Sequence, residues 1–216
     1  MEEEKVIFRY ADFENPWLKE SLRSLRNKLL LGSHENKVFC VSSLYPKEGV
    51  STIVRLLALY LSDIHKKVIV VSADLKKRDI DNPATTYTLK DYLSGDCTVE
   101  SVVQNVNENY QIIVGSSSDN DHSDLLYLKE FTELIAKLKV KYDIVLIDAP
   151  SFSVASEANV LARLADSLIL VVKCNSVKIG DFCEFIKSLK WQNISIRGVV
   201  LNQINETENL EIKEIM

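Results

Sequence analysis

Hydrophobic residues recur along this chain in six short runs rich in valine, isoleucine and leucine. Several of the runs are continuous rather than alternating, which is typical of strands covered on both faces. They occupy residues 38–42, 68–72, 111–114, 144–148, 168–173 and 196–202. Segments with helical periodicity lie between them, at 51–66, 123–139, 158–165 and 179–190. Strands that alternate with helices predict an α/β fold, a doubly wound and mostly parallel sheet with helices on both faces.

The first 35 residues read as an arm followed by a helix. Asn15, Pro16 and Gly32 supply the signals that start and stop a helix. Leucines at spacings of four, three and four predict one apolar face, made of Leu18, Leu22, Leu25 and Leu29. We therefore expect a single domain over 1–216, with an arm and helix at 1–35, a core at 36–204 and an acidic tail at 205–216.

Composition and charge exclude several classes of protein. The chain has 216 residues, 46% of them hydrophobic, which suits one compact domain and excludes a disordered chain. A net charge of −5 predicts no general attraction to nucleic acid or anionic lipid. The longest apolar run, 56–61, has six residues, whereas a membrane span needs about 20. With an acidic start and no C-x-x-C pair, the sequence predicts a cytoplasmic protein without a signal peptide, zinc or a disulfide framework.

The segment after the first predicted strand has the position and length of a phosphate-binding loop. Ligands of open parallel sheets bind at the carboxyl ends of strands, and N–H groups at a helix start hold phosphates. Gly49 and the Ser51–Thr52 pair suit such a loop, but Val50 stands where a lysine is usual and Lys47 where a glycine is usual. The predicted nucleotide-binding residues here are Lys47, Glu48, Gly49, Val50, Ser51 and Thr52.

Two aspartates follow other predicted strands. Asp74 comes just after the strand at 68–72, and Asp148 closes the strand at 144–148. A carboxylate that closes a strand beside a phosphate loop holds Mg²⁺ directly or through water. We predict a Mg²⁺ site made of Ser51, Asp74 and Asp148, and we expect the two aspartates to be catalytic if the protein is active. The alternative is that both persist as caps and turn residues.

In this order the motifs resemble those of the bacterial tyrosine kinases of capsule and exopolysaccharide synthesis, the CpsD/CapB type, which are relatives of the MinD/ParA ATPases. The likeness runs from about Glu20 to Asn202. Its segments are PKEGVST at 46–52 with KKV at 66–68, VSADLKK at 71–77, DYLSG at 91–95, SDLL at 123–126, YDIVLIDAPS at 142–151 and GVVLN at 198–202. The last of these segments adds Asn202 to the predicted nucleotide-binding residues.

The resemblance also gives a role to a charged row on the first helix. Glu20, Arg23 and Arg26 advance by three residues, which by itself describes a solvated helix face. They match the oligomerisation motif E-x-x-R-x-x-R of the family, in which arginine forks pair with carboxylates across subunits. The resemblance therefore implies a homo-oligomeric ring, or a hetero-oligomer with an active paralogue. It further implies ATP or ADP with Mg²⁺ as cofactor, and a transmembrane chain-length regulator that holds the protein at the inner face of the cell membrane.

The departures from the family pattern fall on catalytic positions. Val50 replaces the loop lysine, Ser72 replaces the first aspartate of the second motif, and no tyrosine follows Tyr142. We therefore predict a catalytically impaired member of the family that regulates polysaccharide synthesis and export. One alternative is an active kinase or ATPase that uses Lys47 or a neighbouring subunit's cation. Another is a MinD/ParA-like positioning protein, although Tyr45 stands where such proteins carry their signature lysine.

Overall fold

The computed structural model describes residues 16–31, 37–76, 87–116 and 121–204. Within them a single seven-stranded sheet has the order β3-β4-β2-β5-β1-β6-β7. Its strands are β1 Val38–Ser43, β2 Val68–Ser72, β3 Val103–Asn105, β4 Tyr110–Ile113, β5 Ile144–Asp148, β6 Ser167–Lys173 and β7 Ile196–Asn202. Every pairing is parallel except that of β3 with β4.

Helices cover both faces of the sheet. They are α1 Pro16–Leu30, α2 Val50–Ser62, α3 Leu89–Leu93, α4 Val99–Val102, α5 Lys129–Lys141, α6 Glu157–Leu164 and α7 Ile179–Trp191, with a 3₁₀ helix at Ser123–Tyr127. Residues of α1 and α2 pack on one face in a core that includes Leu29, Val54 and Leu57. Residues of α5, α6 and α7 contribute to a second core on the other face, which includes Phe131 and Leu161.

The predicted fold class is confirmed, and the six predicted strands are all present. The leucine stripe of α1 faces the protein as expected: Leu22 and Leu29 are buried, and Leu18 and Leu25 are half-buried. The predicted cap Asn15 and stop signal Gly32 lie outside the described residues.

Three details of the predicted elements are wrong. The helix expected at 123–139 is broken at Leu128, whose extended backbone (ψ 150°) separates the 3₁₀ helix from α5. The helix expected at 51–66 ends at Ser62, and His65 then reverses the chain with φ 60°. Strand β3 and the short helices α3 and α4 were not expected, since stretches of three to five residues carry too little periodicity to be recognised.

Among the described residues, no helix is both long enough and apolar enough to cross a membrane.

Candidate functional site

The loop between β1 and α2 lies at the carboxyl edge of the sheet. Gly49 precedes the first turn of α2 with φ 93°, and Lys47 also has a positive φ of 64°. Ser51 and Thr52 are exposed in the first turn of the helix. This turn carries backbone N–H groups that have no partner within the helix, so the loop provides a place for an anion.

Glu48 joins this loop to the end of the neighbouring strand β6. Its side chain is only 2% exposed, and one carboxylate oxygen accepts from the Ser176 hydroxyl and from the Lys173 backbone N–H at 3.4 Å. The other oxygen accepts from the Tyr45 N–H at 3.3 Å within the loop. A residue of the predicted nucleotide-binding set therefore turns its carboxylate inward, away from the loop surface.

Asn202, at the end of β7, forms a hydrogen bond to the same loop. Its side-chain amide donates to the Glu48 backbone carbonyl at 2.8 Å. A Cβ atom on Gly49 would lie 2.2 Å from the Asn202 amide nitrogen, and the positive φ of Gly49 also disfavours any other residue. The structure thus brings Asn202 to the predicted loop, although 154 residues separate it from Glu48 along the chain.

Asp148 lies in the middle of the sheet at the same edge. Because β5 pairs with both β1 and β2, Asp148 is in register with Val41 on one side and Ser72 on the other. Asp148 is 8% exposed, and its backbone carbonyl accepts from the Ala73 N–H at 2.8 Å. Asp74 follows two residues after Ser72, half-buried, and its carboxylate accepts from the Lys76 N–H at 3.3 Å. The two predicted carboxylates therefore come from adjacent strands.

The negative charge of Asp148 acts on the thiol of Cys40, which lies on the adjacent strand β1. Complete burial, and next the negative charge of Asp148, raise the pKa of the Cys40 thiol far above its ordinary value. This thiol therefore stays protonated and unreactive in the folded protein. Cys174, which follows the apolar strand β6, is only half-buried.

The two positions that depart from the family pattern have apolar or unpaired surroundings. Val50 is half-buried and packs against the core under α2. Ser72 is buried, and its hydroxyl has no hydrogen-bond partner within the part of the chain described. An unpaired hydroxyl next to Asp148 in the sheet suits an oxygen-ligated cation such as Mg²⁺, whereas the start of α2 offers no cation to a phosphate.

The segment after Asp148 forms one wall of the loop. The Ser42 hydroxyl donates to the Pro150 carbonyl at 2.7 Å. The Phe152 and Ser153 N–H groups donate to the Ser43 and Leu44 carbonyls at 2.9 and 3.0 Å. These bonds hold the chain after β5 against the chain after β1, so the loop and Asp148 are fixed relative to each other.

A further polar cluster adjoins Asp74. The Lys76 ammonium lies 3.4 Å from a Glu157 carboxylate oxygen and 3.8 Å from Asp121. Burial acts to raise the pKa of Glu157, but hydrogen bonding by Ser123 and the charge of Lys76 outweigh it, and the pKa is lowered. Lys76 is about one third exposed and paired, and the two basic residues that follow it lie outside the described part.

The charged row on α1 is only partly a solvated face. Glu20 and Arg23 form an ion pair at 3.6 Å, with both side chains more than half exposed. Arg26 turns toward α2 instead and donates to the Tyr60 carbonyl at 3.4 Å. Two of the three predicted oligomerisation residues are therefore available to a partner, and the third contacts its own chain.

Several residues that contact this site could not be predicted from the sequence. Ser176, Lys173 and Glu157 belong to no motif, and no local pattern distinguishes them from other polar residues. They reach the site because β6 lies beside β1 and because α6 begins at the carboxyl edge of the sheet.

Comparison with known proteins agrees with this geometry. A family model described as an AAA domain matches residues 38–197, about three quarters of the chain. EpsB, a candidate tyrosine-protein kinase of Ralstonia nicotianae, is 30% identical over 192 residues, which cover 86% of this chain and 26% of EpsB. The tyrosine-protein kinase CpsD of Streptococcus agalactiae serotype III is 24% identical over 88% of this chain and 84% of CpsD. The chain thus spans about a quarter of EpsB and most of CpsD.

Among solved structures, the kinase domain of VpsO superposes with a TM-score of 0.79 and 26% identity, covering 91% of this chain and all of that domain. The chain therefore belongs to the AAA domain family, as a phosphate-loop protein of the α/β class. Its relatives there are bacterial tyrosine-protein kinases, which confirms the resemblance that the motifs indicated.

Proposed function

We propose that this protein is a catalytically impaired member of the bacterial tyrosine kinases that regulates the synthesis and export of a capsular or extracellular polysaccharide. In this proposal it keeps the nucleotide pocket of the fold and acts as a binding or assembly module. The observation that carries the proposal is Val50: a neutral, half-buried side chain packed against the core stands at the start of α2, where the family pattern has a lysine.

The remaining groups support weak binding of ATP or ADP with Mg²⁺. The start of α2 offers N–H groups to a phosphate, and Ser51, Asp74 and Asp148 offer oxygen ligands to Mg²⁺. When bound, the metal ion would neutralise charge on the β and γ phosphates. The buried hydroxyl of Ser72 fits an oxygen-rich metal site without adding the negative charge of an aspartate.

The replacement of the lysine is expected to affect nucleotide affinity less than the rate of phosphoryl transfer. A hydrogen bond to a charged group contributes about 1.5–3 kcal/mol, so loss of the lysine weakens nucleotide binding roughly 10- to 150-fold. Transfer of the γ-phosphoryl group depends on electrostatic stabilisation, and one missing donor there lowers the rate about 10²- to 10³-fold. Replacing a carboxylate by Ser72 lowers it further. Weak nucleotide binding is therefore compatible with these replacements, whereas efficient transfer to tyrosine is not.

Calorimetric titration of ATP and ADP with Mg²⁺ tests the proposal. We expect the wild type to bind weakly or not at all and Val50→Lys/Ser72→Asp to bind at micromolar levels. Val50→Met is the matched control, because it lengthens the side chain without adding charge, and it should bind like the wild type. Tight binding by the wild type would overturn the proposal. So would incorporation of labelled phosphate into tyrosine by the wild type that Asp148→Asn abolishes.

A second candidate function is an active kinase or ATPase in which Lys47 supplies the missing cation. The exposed position of Lys47, two residues before Gly49 in the same loop, favours this alternative. It predicts that Lys47→Ala abolishes nucleotide binding and turnover, whereas the impaired kinase loses little on the same substitution. A cation from a neighbouring subunit would instead make activity depend on assembly.

Assembly, partner and location are part of the same proposal. The exposed Glu20–Arg23 pair on α1 supports a ring of identical subunits or a mixed ring with an active paralogue. The motifs shared with the capsule tyrosine kinases imply a transmembrane chain-length regulator as partner, which would hold the protein at the inner face of the membrane. Native mass measurements of the chain alone and mixed with a paralogue distinguish the two kinds of ring.

A further inference from the structure

The edge of the sheet opposite the candidate site combines exposed apolar side chains with an excess of basic residues. We define the amino edge as the last turns of α1, α2, α5, α6 and α7, the described residues that connect them to strands (31, 37, 63–67, 142–143, 165–166 and 192–195), and the β3–β4 turn. All five helices run antiparallel to the strands, so their carboxyl ends meet here. Arg197, in the adjoining strand β7, donates to the Lys28 and Leu29 carbonyls of this edge, and Arg163 donates to Gln192 within it.

Large apolar side chains project into solvent from this edge. Leu31 is 83% exposed, Val140 86% and Trp191 88%, each at the end of a different helix. Ile64, in the connection between α2 and β2, is 38% exposed. In the described part of the chain, Ile179 is the other apolar side chain that is more than 80% exposed, and it lies at the opposite edge. Single exposed apolar residues are ordinary, and at the opposite edge Trp17, Tyr127 and Val154 are 52–56% exposed. The exposed apolar residues of the amino edge therefore matter only together with the charge of that edge.

The same edge is basic although the whole chain is acidic. The described residues of the amino edge include eight basic side chains, Lys28, Lys37, Lys66, Lys67, Lys139, Lys141, Arg163 and Lys190, against four acidic ones, Asp63, Glu108, Asp143 and Asp166. Two of the acidic groups are already engaged: Asp166 binds Lys139 and two backbone N–H groups, and Asp143 accepts from the Lys67 N–H. The excess of four positive charges contrasts with the net charge of −5.

We propose that the amino edge docks directly on the surface of an anionic lipid bilayer. Lysines there lie in the headgroup region, and tryptophan and aliphatic side chains enter the boundary between headgroups and acyl chains. The apolar residues occur singly at separate helix ends with lysines between them. A protein partner would instead require a contiguous, desolvated apolar centre.

This contact orients the molecule. The phosphate loop, Asp74 and Asp148 lie at the carboxyl edge, so a protein docked by its amino edge turns the candidate site toward the cytoplasm. The docking surface shares no residue with that site. Membrane docking can therefore be tested independently of the proposed nucleotide binding.

Co-sedimentation of the full chain with vesicles tests the charge of this surface. We expect binding to vesicles of 70% phosphatidylcholine and 30% phosphatidylglycerol, little binding to pure phosphatidylcholine, and weaker binding as salt is raised. One lysine near an anionic surface contributes about fivefold in affinity. Lys66→Glu/Lys67→Glu should therefore lower it at least 20-fold. Lys129→Glu/Lys178→Glu changes the net charge equally at the opposite edge and should leave it within about twofold.

The apolar contribution is tested by a matched pair. Val140→Ser/Trp191→Ser should weaken binding to the anionic vesicles severalfold, while Ile179→Ser, equally exposed at the other edge, should not. In an otherwise unchanged Trp17→Phe chain, the fluorescence of Trp191 should shift to the blue when anionic vesicles are added. That readout needs no substitution at the docking surface.

Several outcomes would overturn the proposal. The wild type could remain in the supernatant, bind neutral vesicles equally well, or lose binding to the same extent with either lysine pair. Capture on heparin as strong as on vesicles, without a blue shift, would assign the edge to a polyanionic macromolecule instead of a bilayer.

Discussion

Lys47 and Gly49 flank the buried Glu48, and both have backbone φ angles in the left-handed region. For Gly49 this conformation costs nothing. For Lys47 it stores strain, since a side chain with a Cβ disfavours the left-handed region by about 1 kcal/mol. The strain persists because the hydrogen bonds of the Glu48 carboxylate and of the Asn202 amide anchor the loop to the ends of β6 and β7.

Lys47→Gly and Lys47→Ala separate the backbone of this residue from its charge. Glycine relieves the strain and alanine does not, so Lys47→Gly should be about 0.5–1 kcal/mol more stable than Lys47→Ala after allowance for the entropy of glycine in the unfolded chain. Urea denaturation measures the difference. Both variants remove the ammonium, so a loss of nucleotide binding common to both would identify a role for the charge. Equal stabilities would contradict the strain.

At the scale of elements, Asp166 connects the start of β1 to the end of α5. One carboxylate oxygen accepts from the Lys37 and Val38 N–H groups at 2.8 and 2.9 Å, and the other pairs with the Lys139 ammonium. Burial acts to raise the pKa of Asp166, but these hydrogen bonds and the charge of Lys139 outweigh it and lower the pKa. The ionised form is therefore the one that joins the strand to the helix.

Asp166→Asn should lower the free energy of unfolding by about 1–3 kcal/mol at pH 7, because it removes charge-assisted hydrogen bonds. The pKa is lower in the folded than in the unfolded state, so the stabilisation is complete above the unfolded value near 4. It is lost as the pH falls through the folded value. Denaturation of both proteins from pH 7 to pH 3 should show their difference shrinking below about pH 4. Asp96→Asn, at an exposed position, is the control and should change stability by less than about 0.5 kcal/mol. A difference that does not depend on pH would exclude the ionised carboxylate as the cause.

At the scale of the whole molecule, one sheet separates two cores. Phe131 is fully buried on the face covered by α5, and Leu57 is fully buried on the face covered by α2. The same strands line both cores with alternate side chains, so neither layer keeps its surface buried without the other. This arrangement supports the proposal that the chain is a single cooperative domain.

Phe131→Ala and Leu57→Ala should each destabilise the protein by about 2–5 kcal/mol, from lost burial and the cavity that remains. For a chain of this size, we expect Tm to fall by roughly 2–4 °C for each kcal/mol. Calorimetry should record one transition in both variants. Val140→Ala, at a position 86% exposed, is the control and should leave Tm unchanged. A second transition in either variant would mean that the two layers unfold independently.

Local patterns along the sequence were sufficient for six of the seven strands, because a continuous apolar run predicts a strand wherever it lies in the sheet. They were also sufficient to place Gly49, Asp74 and Asp148 after strand ends, where parallel sheets bind ligands. They failed at Leu128, where one extended residue breaks a pattern that remains helical on both sides. They failed again at Lys76, because nothing near it in sequence reveals the buried Glu157 that pairs with it.

The sequence by itself determined the fold class, the position of the phosphate loop, and the replacement of the usual loop lysine by Val50. These follow from apolar periodicity, from turn residues and from the identity of one side chain, which are all local properties. Only the tertiary structure decided that Glu48 turns inward to Ser176 and that Asn202 fits against Gly49. It alone also brought the basic side chains of five helix ends, and the exposed apolar residues of four of them, to one edge of the sheet. Such contacts depend on which strands and helices become neighbours, and burial in a common core selects that arrangement for the whole chain at once.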